Sequence, residues 1–370
     1  MDDNNLIINP EPDSPNPSDT SPETPDNSAD PTELPTELPD NVCQSCGSTE
    51  IENEYEFPLC TECRNRFSSQ PLPKWISVVS LLILVIMAVA LARFPKAIDA
   101  AVDFERGQRA EKARLYATAT REYQKAVKIY PKSTLLLARL CVSEYENGEA
   151  IKAGETFSQL AGRKADEELV NEINPIIQTI DELYYPNESL MKVLKDSNNK
   201  PGTDVLIKYI ADNPDNIIAC EMLASDYFDQ KNYVEAEKLV LKIIKQSPDY
   251  KPAIYLLAAI YRERSDYEKC RNCCNQMLNL NAEDYYAYKS LAEIELKLHN
   301  DVNGLRLAKK AVDIQPHDGQ NLAILALAYH YNGKIAERDK AFNLFLKEKD
   351  FYRFKPDDLR STFSGQVNWR

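Results

Sequence analysis

One pattern returns at a fixed interval, and it limits the fold more than any other feature. Cys220-x-x-Leu223-Ala224-x-x-Tyr227 recurs 34 residues later as Ile254-x-x-Leu257-Ala258-x-x-Tyr261. It recurs again as Tyr288-x-x-Leu291-Ala292-x-x-Glu295, then as Leu322-x-x-Leu325-Ala326-x-x-Tyr329. A second set keeps the same frame: Ala236, Val240 and Ile243; Cys270, Cys274 and Met277; Gly304, Ala308 and Ala311; Phe342 and Phe345. Spacings of three and four residues place these side chains on one face of a helix. Pro214, Pro248 and Pro316 close several units. Each unit is therefore a pair of helices. One such hairpin cannot bury its own apolar face, whereas stacked neighbours bury a continuous seam.

This pattern resembles the tetratricopeptide repeat, a 34-residue unit carrying W-x-x-L-G-x-x-Y, then A-x-x-x-F, then P. The chain departs from it in two ways. The tryptophan position is never Trp, and alanine replaces the first-helix glycine in these four units. Alanine is still small enough for two helices to approach. An earlier unit fits through Gly107, Ala110, Tyr116, Ala119, Tyr123, Ala126 and Pro131. A weaker one follows with Cys141, Gly148, Ala153 and Phe157. Units start near residues 100 and 134, then near 217, 251, 285 and 319, so the frame slips by 15 residues between the two groups. The slip falls where Pro175, Pro186 and Asn-Asn-Lys-Pro-Gly at 198–202 interrupt the pattern. The expectation is an all-α solenoid in two blocks, 98–165 and 203–350, around an irregular helical insertion at 166–202.

The resemblance implies a concave face lined mainly by first helices. Phe228, Arg262, Lys297, His330 and Tyr331 follow the tyrosine-type anchors, and Tyr255, Tyr286 and Lys289 join them. Together they would form a groove for a protein or peptide partner. For any single residue the alternative is ordinary solvated surface. Residues 351–370 are aromatic and basic and are read as a cap over the last repeat in their first half, or as a docking tail.

Three segments precede the repeats. Residues 1–41 hold nine prolines and many polar residues, and read as a disordered acidic tail. Residues 42–70 contain Cys43-x-x-Cys46 and Cys60-x-x-Cys63. Four thiols in two tight pairs suit tetrahedral zinc. Gly47 permits the turn that a metal knuckle needs. The module resembles zinc-ribbon and related small zinc-binding domains, and its zinc would be structural. Two disulfides are the alternative. Residues 75–93 begin with an unbroken apolar run from Trp75 to Ala92, flanked by Lys74 and Arg93. At 1.5 Å per residue such a run spans roughly 27 Å, enough for one transmembrane helix.

Charge and composition exclude several function classes. The net charge is −14, and residues 1–42 contribute 11 acidic and no basic residues. No basic stripe exists for nucleic acid, so that partner is not expected. Only His299, His317 and His330 occur, and no nucleophile, phosphate-loop or dinucleotide motif is present. The chain is not expected to be an enzyme or to take a small-molecule substrate. The cluster Cys270, Cys273 and Cys274 is read as core rather than as a second metal site.

Orientation cues conflict. Zinc thiolates belong on a reducing side, which puts the N-terminal segment in the cytoplasm and the repeats outside. Three basic residues before the span against five within twenty residues after it lean the other way. The odd number of later cysteines, five, leans the same way as the charges. The expectation adopted is a cytoplasmic N-terminus and extracytoplasmic repeats. The expected function is a single-pass, membrane-anchored scaffold or adaptor. The alternative is a transmembrane sensor or regulator in which repeat occupancy controls the zinc module.

Overall fold

A computed structural model describes residues 9–10, 41–52, 55, 57–69, 73–348 and 353–370. Almost all of the expected acidic tail, 1–41, lies outside the described residues, as do 349–352. The chain divides into two compact units, residues 12–95 and residues 96–370 together with 1–11.

The first unit holds α1 (Thr61–Ser68) and the start of α2 (Lys74–Lys112). The sequence reading ends the apolar helix at 93 and starts the repeats near 98. Instead α2 runs 39 residues with Pro95 inside it. Proline removes one backbone donor, but alanines and charged helix formers on its C-terminal side carry the helix on.

The second unit is a succession of helices. They are α3 (Tyr116–Ile129), α4 (Thr134–Glu146), α5 (Ala150–Ser158), α6 (Glu167–Tyr184), α7 (Glu188–Asp196) and α8 (Thr203–Asp212). Four hairpins follow: α9 (Ile217–Asp229) with α10 (Tyr233–Gln246), and α11 (Lys251–Glu263) with α12 (Tyr267–Leu280). Then come α13 (Tyr285–Lys297) with α14 (Asp301–Ile314), and α15 (Gly319–Tyr331) with α16 (Ile335–Phe345). Helix α17 (Pro356–Phe363) completes the described chain. The first helices of the four hairpins begin at 217, 251, 285 and 319, the register legible in the sequence. Two short strands, β1 (Asn9–Pro10) and β2 (Lys164–Ala165), pair in parallel.

Local chemistry sets these boundaries. Asn216, Asp284 and Asp318 cap α9, α13 and α15, each accepting from an amide three residues on. Each hairpin turns through one left-handed residue: Lys231, Ser265, His299 and Gly333, at a constant interval, with Arg114 and Gly148 in the earlier units. Ala224, Ala258, Ala292 and Ala326 are fully buried where paired helices meet. At Gly304 an added Cβ would lie 2.7 Å from Leu296 Cδ2, so the backbone of α14 packs directly against the Leu296 side chain of α13.

The insertion is a wedge. Helix α6 passes through Pro175 and buries Ile173, Ile177 and Ile180 against α4 and α5. Its last turn then packs Leu183 and Tyr184 into the core of α9 to α13. The Tyr184 and Tyr250 rings meet edge to face at 5.3 Å. One helix therefore belongs to both hydrophobic cores and fixes the two blocks to each other.

Candidate metal centre and partner groove

The cysteine module is built from a turn and a helix start. Gly47 has φ +73° and donates to the Cys43 carbonyl at 2.8 Å, closing the first knuckle. Cys60 caps α1, and its Sγ accepts from the Cys63 amide at 3.5 Å. The Gln44 amide reaches Pro58 O at 3.0 Å, which holds the two pairs together. All four sulfurs lie within 4.8 Å of one another, with Cys46 and Cys60 at 3.6 Å. A tetrahedral zinc–thiolate site has S–S edges of about 3.8 Å at a 2.3 Å bond length. The donor set and spacing therefore fit a metal ion after a small contraction.

Electrostatics within the cluster point the same way. The Cys60 amide draws the Cys43 thiol down to about 6. The Ser48 amide also draws Cys46 down, but crowding by the thiols of Cys63, Cys43 and Cys60 wins and pushes it up to about 12. Four thiols so close resist ionising together, and a cation relieves that repulsion. All nine cysteines are free. Cys270, Cys273 and Cys274 are buried in the repeat core, and the N-terminal four form the one metal-ligand cluster among the described residues.

In the second block, the first helices α11 and α13 are covered at both ends by other parts of the chain. Their N-terminal ends meet the first block. Lys251 donates to the Glu146 carbonyl at 2.6 Å and the Tyr145 carbonyl at 3.2 Å. The Arg114 guanidinium donates to Asn279 O at 2.6 Å, and the Ala282 amide donates to Arg114 O at 2.9 Å. Thr118 gives both its amide and its hydroxyl to Glu283 at 2.7 Å. Tyr255 donates to Asp284 at 2.8 Å and stacks on Tyr286 at 4.8 Å.

Their C-terminal ends meet residues 353–370. Arg353 grips Glu293 with two parallel bonds of 2.5 Å and reaches Glu263 at 2.8 Å. Arg262 Nε lies 3.3 Å from the same Glu293 carboxylate, whose side chain is only 2% exposed. Burial alone would raise the Glu293 carboxyl; Arg262 and Arg353 overcome it and hold the group at about 2. Further along, Lys297 donates to the Trp369 carbonyl and sits 4.0 Å from the centre of its ring. Arg370 lies 3.5 Å over the Tyr331 ring, pairs with Asp301 at 2.9 Å and donates to His299 Nδ1. Phe354 and Leu359 are buried in the core of α13 to α16. Between segment and helices lies a cavity of about 390 Å³, lined by Arg262, Glu293 and Lys297 on one side and Arg353, Phe354 and Trp369 on the other.

The eight groove residues read from the sequence have distinct surroundings. Tyr255 and Tyr286 form the stacked pair at the first-block end. Arg262 is a buried ion-pair member rather than an open side chain. Lys297, His330 and Tyr331 lie against residues 353–370, with His330 5.3 Å from the Phe363 ring. Lys289 is 5% exposed, with its ammonium 4.6 Å from the Tyr286 ring. Burial pulls that ammonium down to about 8, with Asp318 opposing. Phe228 is half-buried against Tyr233. Sequence reasoning missed Glu293, Arg353, Trp369 and Arg370. The available signals were an acidic residue one turn before Leu296 and the Arg-Phe and Trp-Arg pairs that bound the last segment.

The family model described as tetratricopeptide repeat matches residues 227–294. No curated protein matches the sequence. Among solved structures, MamA 41-end from Desulfovibrio magneticus RS-1 is 15% identical, with 39% of this chain and 82% of that one covered and a TM-score of 0.34. A thermophilic TPR protein of Thermus thermophilus is 14% identical, with 63% and 98% covered and a TM-score of 0.37. Pseudomonas aeruginosa pilF is 12% identical, with 74% and 100% covered and a TM-score of 0.34. The family match spans α11 and α12 and parts of the hairpins on either side, in the same 34-residue frame. Residues 227–294 thus match the tetratricopeptide-repeat model, and the helices on either side continue as helical hairpins in the same frame.

Proposed function

We propose that this chain is a single-pass, membrane-anchored scaffold or adaptor. Its repeats recruit a protein partner, and its cysteine module holds a structural zinc ion on the opposite face of the membrane. The observation that carries the reading is the repeat register itself: four hairpins at a constant interval. Pull-down with Tyr255→Ala, Lys297→Glu and Tyr331→Ala variants tests it. Loss of a partner by variants that still melt cooperatively is expected; undiminished capture by all three would sink the groove reading.

The anchor reading rests on α2, the one helix among the described residues long and apolar enough to cross a membrane. Val78, Leu81, Leu82, Ile83 and Leu84 on it are all exposed. Transferring such a run into lipid is favourable by tens of kcal/mol, at about 1.5 kcal/mol or more for each large apolar side chain. The β1–β2 pairing places residues 9–10 beside 164–165, which a membrane crossing between them forbids. A two-residue pairing is worth about 1 kcal/mol per hydrogen bond, so insertion prevails and the pairing is given up.

Cys43, Cys46, Cys60 and Cys63 would hold zinc, which when bound supplies folding energy that so small a module lacks. Zinc thiolates favour the reducing side, so the N-terminal segment is assigned to the cytoplasm and the repeats to the other side. Labelling intact cells with an impermeant thiol reagent tests this. Modification of a cysteine placed in the repeats is expected, and modification at the N-terminal cysteines instead reverses the orientation. The alternative is a transmembrane regulator in which repeat occupancy controls the zinc module. Cys60→Ser separates the two, since a pure scaffold keeps its partner and its output whereas a regulator loses the output.

A further inference from the structure

Residues 353–370 dock like a ligand. They supply a guanidinium, an aromatic ring and a second guanidinium, and each meets a complementary group on the first helices. Arg353 takes the buried Glu293 carboxylate through a two-bond fork and shares Glu263. The fork geometry is specific to arginine, because lysine presents one point charge. Trp369 lies under the Lys297 ammonium at 4.0 Å, and Arg370 stacks on Tyr331 at 3.5 Å while pairing with Asp301. The receiving side is built in advance. Glu293 is held by Arg262, and Arg262 donates to Ser290 at 3.3 Å. A pure cap would bury apolar side chains over the end of the solenoid, as Leu359 does. The Arg353 and Trp369–Arg370 contacts do more, since they reach back past α15 to α13 and α11.

We propose that the C-terminal ends of α11, α13 and α15 form a recognition site for a peptide bearing arginine and aromatic side chains. Residues 353–370 occupy it as an intramolecular stand-in that such a partner displaces. This deepens the scaffold reading and rests on it. The pocket of about 390 Å³ left between segment and helices is room that a better-fitting ligand fills. Being tethered, the segment competes at an effective concentration on the order of millimolar, so the unmodified chain binds an external copy poorly.

The probe is a fluorescent synthetic peptide with the sequence of residues 353–370, RFKPDDLRSTFSGQVNWR, titrated by anisotropy into the 370-residue chain in detergent. The expected result is weak binding to the unmodified chain and at least tenfold tighter binding to the Arg353→Ala/Trp369→Ala variant. A peptide whose first arginine is alanine should lose at least tenfold on that variant. If the double variant shows no cooperative melt, Arg353→Lys replaces it, since it keeps the charge and breaks the fork. Two results overturn the proposal: no peptide binding to an opened, folded variant, or equal binding by the peptide lacking its first arginine. Partner capture that ignores every Arg353 and Trp369 change also overturns it, while leaving the scaffold reading standing.

Discussion

The two ends of helices α11 and α13 are covered in different ways. At the N-terminal ends, the first block bonds largely to backbone: the carbonyls of Tyr145 and Glu146, Asn279 O, and the Ala282 amide. Tyr145, Glu146 and Asn279 sit in the last turns of α4 and α12, and α6 packs into the cores of both helices. At the C-terminal ends, the cover is a short segment held by a buried ion pair and cation–ring contacts. The first arrangement gives way only if packed helices separate. The second can give way by moving one segment, and its strength sits in a few side chains. A solenoid surface can thus be closed permanently on one side and reversibly on the other.

The sharpest way to break this contrast is Arg353→Ala. It strips a fork from a buried carboxylate and should cost about 3 kcal/mol. Hydrogen exchange should rise over 353–370 and stay unchanged at 114–118 and 145–148. The reciprocal change is Lys251→Met, expected to cost about 1–2 kcal/mol through two orphaned carbonyls. Its exchange signature should appear at 145–148 and spare 353–370. Rising exchange at both places for either variant would merge the two ends into one cooperative unit.

Acid should separate the ends as well. Glu293 falls from 4.5 to about 2 in the folded chain. A carboxyl lowered by folding contributes stability that is fully present above its unfolded value and is lost as pH falls through the folded one. Docking of residues 353–370 should therefore weaken between about pH 4.5 and 2, and Trp369 emission in a Trp75→Phe chain reports it. Lys289 supplies a smaller test of the middle of the groove. Its ammonium is lowered to about 8 from 10.5, so removing a buried, disfavoured charge by Lys289→Met should raise stability by about 1–2 kcal/mol. The gain should shrink between pH 8 and 10.5, where the wild-type side chain sheds its proton. A loss of stability in place of a gain would mean that Lys289 has a partner that its surroundings do not show.

What could be read from the sequence divides along the same line. The hairpin starts at 217, 251, 285 and 319 were legible because the apolar period, the small residues and the closing prolines act within one unit. The four cysteines were legible as a cluster because C-x-x-C brings two thiols to one turn. The continuity of α2 through Pro95 was not, since a proline in the pattern normally ends a helix and only its neighbours overrule it. The turn residues Lys231, Ser265 and His299 gave no signal, because glycine is the usual left-handed residue and is absent there. The covering of the groove was the least legible. Arg353 and Glu293 are separated by 60 residues, Lys251 and Tyr145 by 106, and no local period encodes such pairings.

The central claim is that residues 353–370 are held on the repeats by the Glu293–Arg353 fork. A double-mutant cycle with Glu293→Gln, Arg353→Met and the combination, read by chemical denaturation at pH 7, measures it most directly. The account predicts a coupling of about 1.5 kcal/mol or more. Additivity to within about 0.3 kcal/mol would mean that the two side chains do not hold the segment in place, and would contradict the account.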